Sequence, residues 1–454
     1  MRAALSLGLA ILAAVSVAAA VGKAAQPNST QAASGAERAR EIGLLGLGAM
    51  RRGADGQNPA APNAANYDEA TANPYPLPDP LAGAGGRRVA TPAQWWSVRR
   101  PQILKAMDEA LYGKAPARTP RVDWTVKETR RETLFGVPAV SKLLDGRLDN
   151  AAFPAVEVHI QALLVAPEAA VTARRKTPVI LSIDFARRPP GLPADPGVDY
   201  RRQILERGWS YVVFDPTTVQ ADNGAGLTSG VIGLVNRGKP RSLDDWGVLR
   251  AWAWGASRIL DRLAVEPNAD ASKVAIFGHS RYGKAALVAM AYDRRFATGF
   301  ISSSGAGGAA PYRRHWGEQI ENVAAANEFH WMAGNFLKYA ADPLTANDLP
   351  VDANAVIAMV APRPIFIGAG RSTTGAGLPS SDGWVDPPGM FKAEASAGQV
   401  WRLLGKRPLG GAAPPMMSLA DSGDMAFRQH DQGHTPGPNW SWFLDFAARA
   451  FAAN

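Results

Sequence analysis

Cysteine is absent from all 454 residues. That excludes disulfides and rules out lipid attachment through an N-terminal cysteine. Stability must therefore come from a sizeable core, which 46% hydrophobic residues and 13 tryptophans can supply. Long hydrophobic runs are also scarce. The one that exists, Ala3 to Val21, follows Arg2 and carries small residues around Ala18-Ala19-Ala20. This pattern predicts a secretory signal peptide over residues 1–20, and hence a secreted or periplasmic protein. An uncleaved anchor of about 20 residues would have the same length. No other stretch approaches it, so no stable membrane insertion is expected after cleavage. Clusters of basic residues are lacking too. The net charge of +9 becomes +8 once Arg2 is lost, but it is scattered along the chain. Scattered charge argues against a nucleic-acid patch and fits ordinary solubility or an acidic polysaccharide partner. There is no internal repeat, and a monomer is expected.

Residues 21–65 are rich in Ala, Gly, Asn, Ser and Pro with little apolar periodicity, which predicts a flexible leader. An extended proline-punctuated segment follows from Asn66. Apolar spacing then predicts a helix over 95–112 with Trp96, Ile103, Leu104, Met107 and Leu111 buried, ended by Gly113. Strands are predicted over 122–127, 156–165, 178–184 and 209–215, with a helix over 200–207 between the last two. Ser242 is placed to cap a long helix over 244–263. Further strands are expected at 274–277, 298–302 and 364–368, helical material over 321–341, and a closing helix over 440–453. Strands alternating with helices predict a three-layer α/β sandwich with a mostly parallel central sheet, one domain over residues 66–454.

Within that pattern, Gly278-His-Ser-Arg-Tyr-Gly-Lys284 lies between an apolar strand and a strong helix former, Ala285 to Tyr292. A serine in such a turn is thrust outward beside the free N–H groups of a helix start, the nucleophile elbow of an α/β-hydrolase. The same glycines satisfy most of a phosphate-binding loop. That reading fails at Ala285, where a Ser or Thr hydroxyl should hold Mg²⁺, and export removes the protein from ATP. The elbow itself departs from pattern, because the following glycine comes at three residues rather than two.

Hydrolases of this fold order their triad Ser, acid, His. Of six histidines, His159 and His279 precede Ser280, and His315 and His330 precede the last clear strand. His430 and His434 remain. Their spacing of four would suit a metal on a helix, but Gly433, Pro436 and Pro438 make this a loop without a carboxylate to complete a zinc set. His434 is the candidate base and His430 a supporting residue; no metal or cofactor is expected. The loop Ser302-Ser303-Ser304-Gly305 holds no carboxylate. The next one reaches Asp382 and Asp386, of which Asp382 is the candidate acid and Asp386 the alternative. An aspartate among serines and glycines is ordinarily a turn former. Arg281 would present a backbone N–H and a cation to an oxyanion. Lys284, one helical turn on, would bring a second cation, which suits a polar or acidic substrate.

At these residues the chain resembles the glucuronoyl esterases, carbohydrate esterase family 15. The resemblance runs from about Asn66 onward, through Asn66-Tyr-Asp-Glu69, Leu77-Pro-Asp-Pro-Leu81, Gly278–Lys284, Ser304-Gly-Ala-Gly-Gly308, Trp316-Gly-Glu318, Leu349-Pro-Val-Asp352, Ala361-Pro-Arg-Pro364, Asp382-Gly-Trp384 with Asp386-Pro387, and His434. It implies a secreted serine esterase that cleaves esters of (4-O-methyl-)glucuronic acid on xylan. Ser280 would be nucleophile, Arg281 oxyanion stabiliser, His434 base, and Lys284, Glu318 and Trp384 the uronate-binding residues. Two places depart from the family. Ser303 stands where many members carry a glutamate, and Asp184-Phe185 where Asn-Phe is usual. The competing expectations are another activity of the same fold, an acetyl-xylan esterase or peptidase, and a non-catalytic uronate-binding relative.

Overall fold

The computed structural model describes residues 29–72, 75–184, 199–371, 381–410 and 417–453. The expected signal peptide lies outside them. Short runs of β-branched and aromatic residues build ten strands: β1 (Val122–Leu134), β2 (Val137–Leu148), β3 (His159–Pro167), β4 (Thr177–Ile183), β5 (Ser210–Phe214), β6 (Ala269–His279), β7 (Thr298–Ser302), β8 (Ile365–Ala369), β9 (Leu419–Asp421) and β10 (Met425–Gln429). They form one sheet in the order β1-β2-β3-β5-β4-β6-β7-β8-β10-β9. Pairing is parallel from β5 across to β10 and antiparallel at both flanks. The sheet is the expected α/β-hydrolase three-layer sandwich.

The two-residue period of β4 shows how the layers arise. Val179 and Leu181 join a core with the Val248–Ala264, Arg281–Tyr292 and Pro387–Leu403 helices, while Ile180 joins a second core with the Tyr200–Glu206 and Trp440–Ala452 helices. Both faces of the central strands are thus buried, which explains their unbroken apolar runs.

Several expectations are corrected. Trp95 is the fully buried member of its pair and Trp96 only packs at the margin. Ser242 does not cap the long helix, which starts at Val248 with Gly247 before it. The Ser242 N–H instead donates to Asp245 at 2.7 Å, closing a separate turn. The helical material expected over 321–341 is made of the short Ile320–Val323 helix and two 3₁₀ segments, Phe329–Trp331 and Gly334–Ala340. Strand β2 went unpredicted; it returns from β1 through Phe135-Gly136, both at positive φ (53° and 81°), the backbone a tight hairpin requires.

The largest difference concerns the expected flexible leader. From Ser29 the chain is folded onto the domain. Ser29–Leu44 is a helix whose Glu41, fully buried, receives Arg241 Nε at 2.7 Å and Nη2 at 3.2 Å. Arg51 donates to Glu321 at 3.0 Å, Asp342 at 3.1 Å and the Leu344 carbonyl at 2.8 Å. Polar bonds anchor this segment beside partly buried Ile42, Leu45, Leu47 and Met50, too few and too irregularly spaced for apolar periodicity to reveal it.

Candidate active site

Strand β6 occupies the middle of the parallel sheet, between β4 and β7, and ends at His279, directly before Ser280. Ser280 has φ 59° and ψ −128°, a backbone conformation that costs energy for any residue with a Cβ. Two bonds hold it: its N–H donates to Ser302 O at 2.9 Å and its carbonyl accepts from Lys284 N at 3.1 Å. The bracketing glycines are required by close approach. A Cβ on Gly278 would lie 2.0 Å from Tyr282 O, and one on Gly283 would lie 2.6 Å from Ser302 O. The late glycine therefore lets the helix pack against the end of β7. The helix begins at Arg281. Its first N–H groups have no partner within the helix and carry the positive end of its dipole.

His434 lies on the loop between β10 and the Trp440–Ala452 helix, with 38% of its side chain exposed. Its Nδ1 is 2.6 Å from Asp382 Oδ1. Asp382 is 1% exposed and its other oxygen accepts from Ser303 Oγ at 2.6 Å and from the Gly370 N–H. Burial alone would raise the Asp382 carboxyl, but His434 and Ser303 outweigh it and hold the pKa below the usual carboxylate range. Burial likewise works to lower the imidazole, yet Asp382 overrides it and the His434 pKa lies above its ordinary value. The geometry separates the two candidate acids. Asp386 caps the next helix, accepting from Gly389 N at 2.9 Å, and takes Arg314 Nε at 2.9 Å. Burial pushes its pKa up to about 6.

Two more histidines surround His434. His430 accepts from Gln432 N at Nδ1 (3.1 Å) and donates from Nε2 to Thr435 O (2.8 Å), so it is neutral and folds the loop that carries His434. The His279 ring packs against His434 at a 45° tilt, with ring centroids 4.3 Å apart, and bonds Ser302 Oγ at 3.0 Å. Burial first, and then the neighbouring His434, depress its pKa well below the ordinary value.

Lys284 is 3% exposed; its ammonium donates to Glu318 Oε2 at 2.8 Å and to the Ala306 carbonyl. The same Glu318 oxygen accepts from Ala306 N at 2.9 Å, and Glu318 N donates to Trp384 O at 2.8 Å. Lys284, Glu318 and Trp384, 100 residues apart in sequence from first to last by subtraction, are thus linked in series. Arg281 is braced by residues that no motif or spacing singled out. Its Nη1 donates to Asp222 at 2.7 Å and its guanidinium lies 5.3 Å from the Trp331 ring, while Trp331 Nε1 and His330 Nε2 hold the other Asp222 oxygen at 2.6 and 3.0 Å. His330, set aside by chain order, is part of that brace. At the departure Asp184, Tyr200 O–H donates to the carboxylate at 3.2 Å; Phe185 lies outside the described residues. Among the described residues, no group of three or more potential ligands could hold a metal ion, and no helix is long and apolar enough to cross a membrane.

A model of the fungal glucuronyl esterase family matches residues 177–405. The solved CE15 glucuronoyl esterase of Teredinibacter turnerae T7901 is 40% identical, superposes with a TM-score of 0.84, and is covered completely by 92% of this chain.

The chain belongs to the glucuronoyl esterases.

It is therefore a carboxylic ester hydrolase. A glucuronoyl esterase of Solibacter usitatus is 30% identical with a TM-score of 0.72, over 85% of this chain and all of that one. A carbohydrate esterase, MZ0003, from an unknown prokaryotic organism is 27% identical over 86% of this chain and 92% of its own. The 4-O-methyl-glucuronoyl methylesterase of Hypocrea jecorina is 32% identical over about a third of each chain. Ser303, one of the two departures seen in the sequence of this glucuronoyl esterase, serves as a hydrogen-bond donor to Asp382.

Proposed function

We propose that this esterase cleaves esters of glucuronic acid, including its 4-O-methyl form, in glucuronoxylan, with lignin-type alcohols as leaving groups, and that it acts outside the cytoplasm. Ser280 Oγ attacks the ester carbonyl and His434 Nε2 takes its proton. The tetrahedral oxyanion is met by the Arg281 N–H, with the guanidinium adding fixed positive charge. Collapse expels the alcohol, which takes the proton from His434, and leaves a glucuronoyl-serine. Water then adds to that ester with His434 again as base, releasing the uronate and restoring Ser280. Asp382 holds the tautomer with its proton on Nδ1 and stabilises the imidazolium. The Lys284–Glu318 pair and Trp384 offer directional bonds and a ring to the sugar.

The observation that carries this reading is the 2.6 Å bond between Asp382 and His434, in a chain whose Ser280 protrudes at strained φ from the end of β6. Hydrolysis of benzyl glucuronate, set against acetyl-xylan and peptide substrates, tests it. Turnover of the uronate ester that disappears in Ser280→Ala is expected. Preference for acetyl-xylan or peptide would overturn the substrate assignment. Uronate binding with no turnover would make the protein a binding relative.

A further inference from the structure

Two adjacent arginines in the N-terminal segment have opposite surroundings. Arg51 is tied to Glu321, Asp342 and two carbonyls. Arg52 is exposed, and no hydrogen bond or ion pair engages its guanidinium among the described residues. It lines an open cleft of about 550 Å³ together with Asp55, Gly56, Gln57, Asn63 and Trp384. That volume falls within the range of small-molecule sites, roughly 300–1,000 Å³.

The wall of this cleft is built, not draped. Asn63 Nδ2 donates to Gly53 O at 2.7 Å, Asp55 N to Asn63 O at 2.7 Å and Ala65 N to Asp55 O at 2.9 Å. Ala54 exchanges both of its backbone bonds with the Asn322 side chain, at 3.0 and 2.9 Å. A Cβ on Gly56 would come 2.7 Å from the Trp384 ring, so the loop backbone lies directly on the indole. Trp384 is consequently a shared wall. Its carbonyl is fastened to Glu318, which holds Lys284 one turn from Ser280, and its ring faces the cleft. A ligand filling the cleft would adjoin whatever touches Trp384 on the catalytic side.

The lining chemistry is that of sugar recognition: a guanidinium, a primary amide, peptide groups and an indole face. Asp55 adds an ionised carboxylate whose Oδ1 accepts from Gln57 N and Asn58 N at 2.8 and 2.9 Å, and the nearby Arg52 guanidinium offsets its charge, so the pair suits a neutral ligand. We propose that this cleft is a carbohydrate subsite that holds the neutral sugar glycosidically joined to the uronate, with Arg52 and Gln57 as its hydroxyl-binding side chains. The inference rests on the proposed glucuronoyl substrate and extends it from the isolated uronate to the chain that bears it.

The test compares benzyl glucuronate with the same benzyl ester on a uronate attached to a xylo-oligosaccharide, using wild type and Arg52→Ala/Gln57→Ala. Both side chains are exposed, so folding is not at stake. The wild type is expected to show a KM lower by roughly five- to thirty-fold on the oligosaccharide ester, the worth of one or two hydrogen bonds. The double variant should lose that advantage and keep wild-type kinetics on benzyl glucuronate. Equal KM for both esters in the wild type, or equal slowing of both in the variant, would overturn the subsite. A wild type inactive on both esters would instead sink the proposed function. In that event, titrating the ester-free oligosaccharide into both proteins still decides the subsite: weaker binding to the double variant supports it and equal binding removes it.

Discussion

The surroundings of Ser280 and the N-terminal wrap both contain buried ions, and they treat them differently. In the wrap, Arg241 and Glu41 are both fully buried and joined by two bonds, with a third guanidinium donor on Met332 O at 2.7 Å. These two buried charges are matched to each other in a fixed fork. Around Ser280, Lys284 reaches Glu318 through one oxygen, Ser280 and Ser303 hold φ of 59° and 46°, and His434 is partly open to solvent. Strain and incompletely matched charge gather where a substrate would complete the arrangement, and full pairing gathers where only docking is needed. Substitutions at the first place should move activity, and at the second stability.

Asp382→Asn presses this contrast hardest. Loss of the carboxylate that fixes the imidazole tautomer should lower kcat about 10³- to 10⁴-fold, roughly 4–5.5 kcal/mol. The pH profile gives a second readout. In the wild type, kcat/KM should rise through a His434 pKa above the ordinary imidazole value, because Asp382 raises it. In the variant that limb should move to lower pH; an unmoved limb would separate Asp382 from the base. The pair also leaves a mark on stability. The depressed Asp382 carboxyl contributes stability that is present above the ordinary carboxylate pKa and lost as pH falls through its folded value. The raised imidazole contributes stability that is full below its ordinary pKa and lost as pH rises through the folded one.

Glu41→Ala probes the wrap. A buried Arg241 that keeps its carbonyl partners but has lost its counter-ion should cost about 3–5 kcal/mol in urea denaturation. Under conditions where the variant is still folded, kcat/KM should match the wild type. A large activity loss at full folding would show that the wrap does more than dock.

Glu318→Gln lies between the two extremes. Ala306 N keeps an acceptor, while the Lys284 ammonium loses its opposite charge. KM for a uronate ester should rise roughly tenfold, about 1.4 kcal/mol, with kcat nearly unchanged. A fall confined to kcat would move Glu318 from sugar binding to the chemical step.

How much of this was legible follows the same division. The central strands and the elbow declare themselves through apolar runs and glycine spacing, because parallel strands are buried on both faces. Asp382 and His434 could be found by chain order. The brace on Arg281 could not, since Asp222 and His330 are 108 residues apart and neither stands in a recognisable motif. Nor could the wrap, whose helix docks through Glu41 and Arg38 rather than an apolar stripe. Hairpin strand β2 escaped because one side of the β1–β2 ribbon is exposed and its alternation is diluted by charge.

Ser303 offers the finest discrimination, because it carries both features of the site at once. Its hydroxyl donates to Asp382, and its φ of 46° is one that a Cβ disfavours. Ser303→Ala removes the donor and keeps the strain; kcat should fall about fivefold, the worth of one bond near 1 kcal/mol. Ser303→Gly removes both, so it should match the Ala variant in kcat yet recover roughly 0.5–1 kcal/mol of stability over it. Chemical denaturation beside steady-state kinetics on the pair separates the two effects. If the glycine variant were the less stable, the positive φ would be no burden, and strain would drop out of the contrast between the two regions. If the alanine variant kept full activity, Asp382 would be oriented by Gly370 and His434 alone, and the serine standing in the glutamate's place would be a spectator.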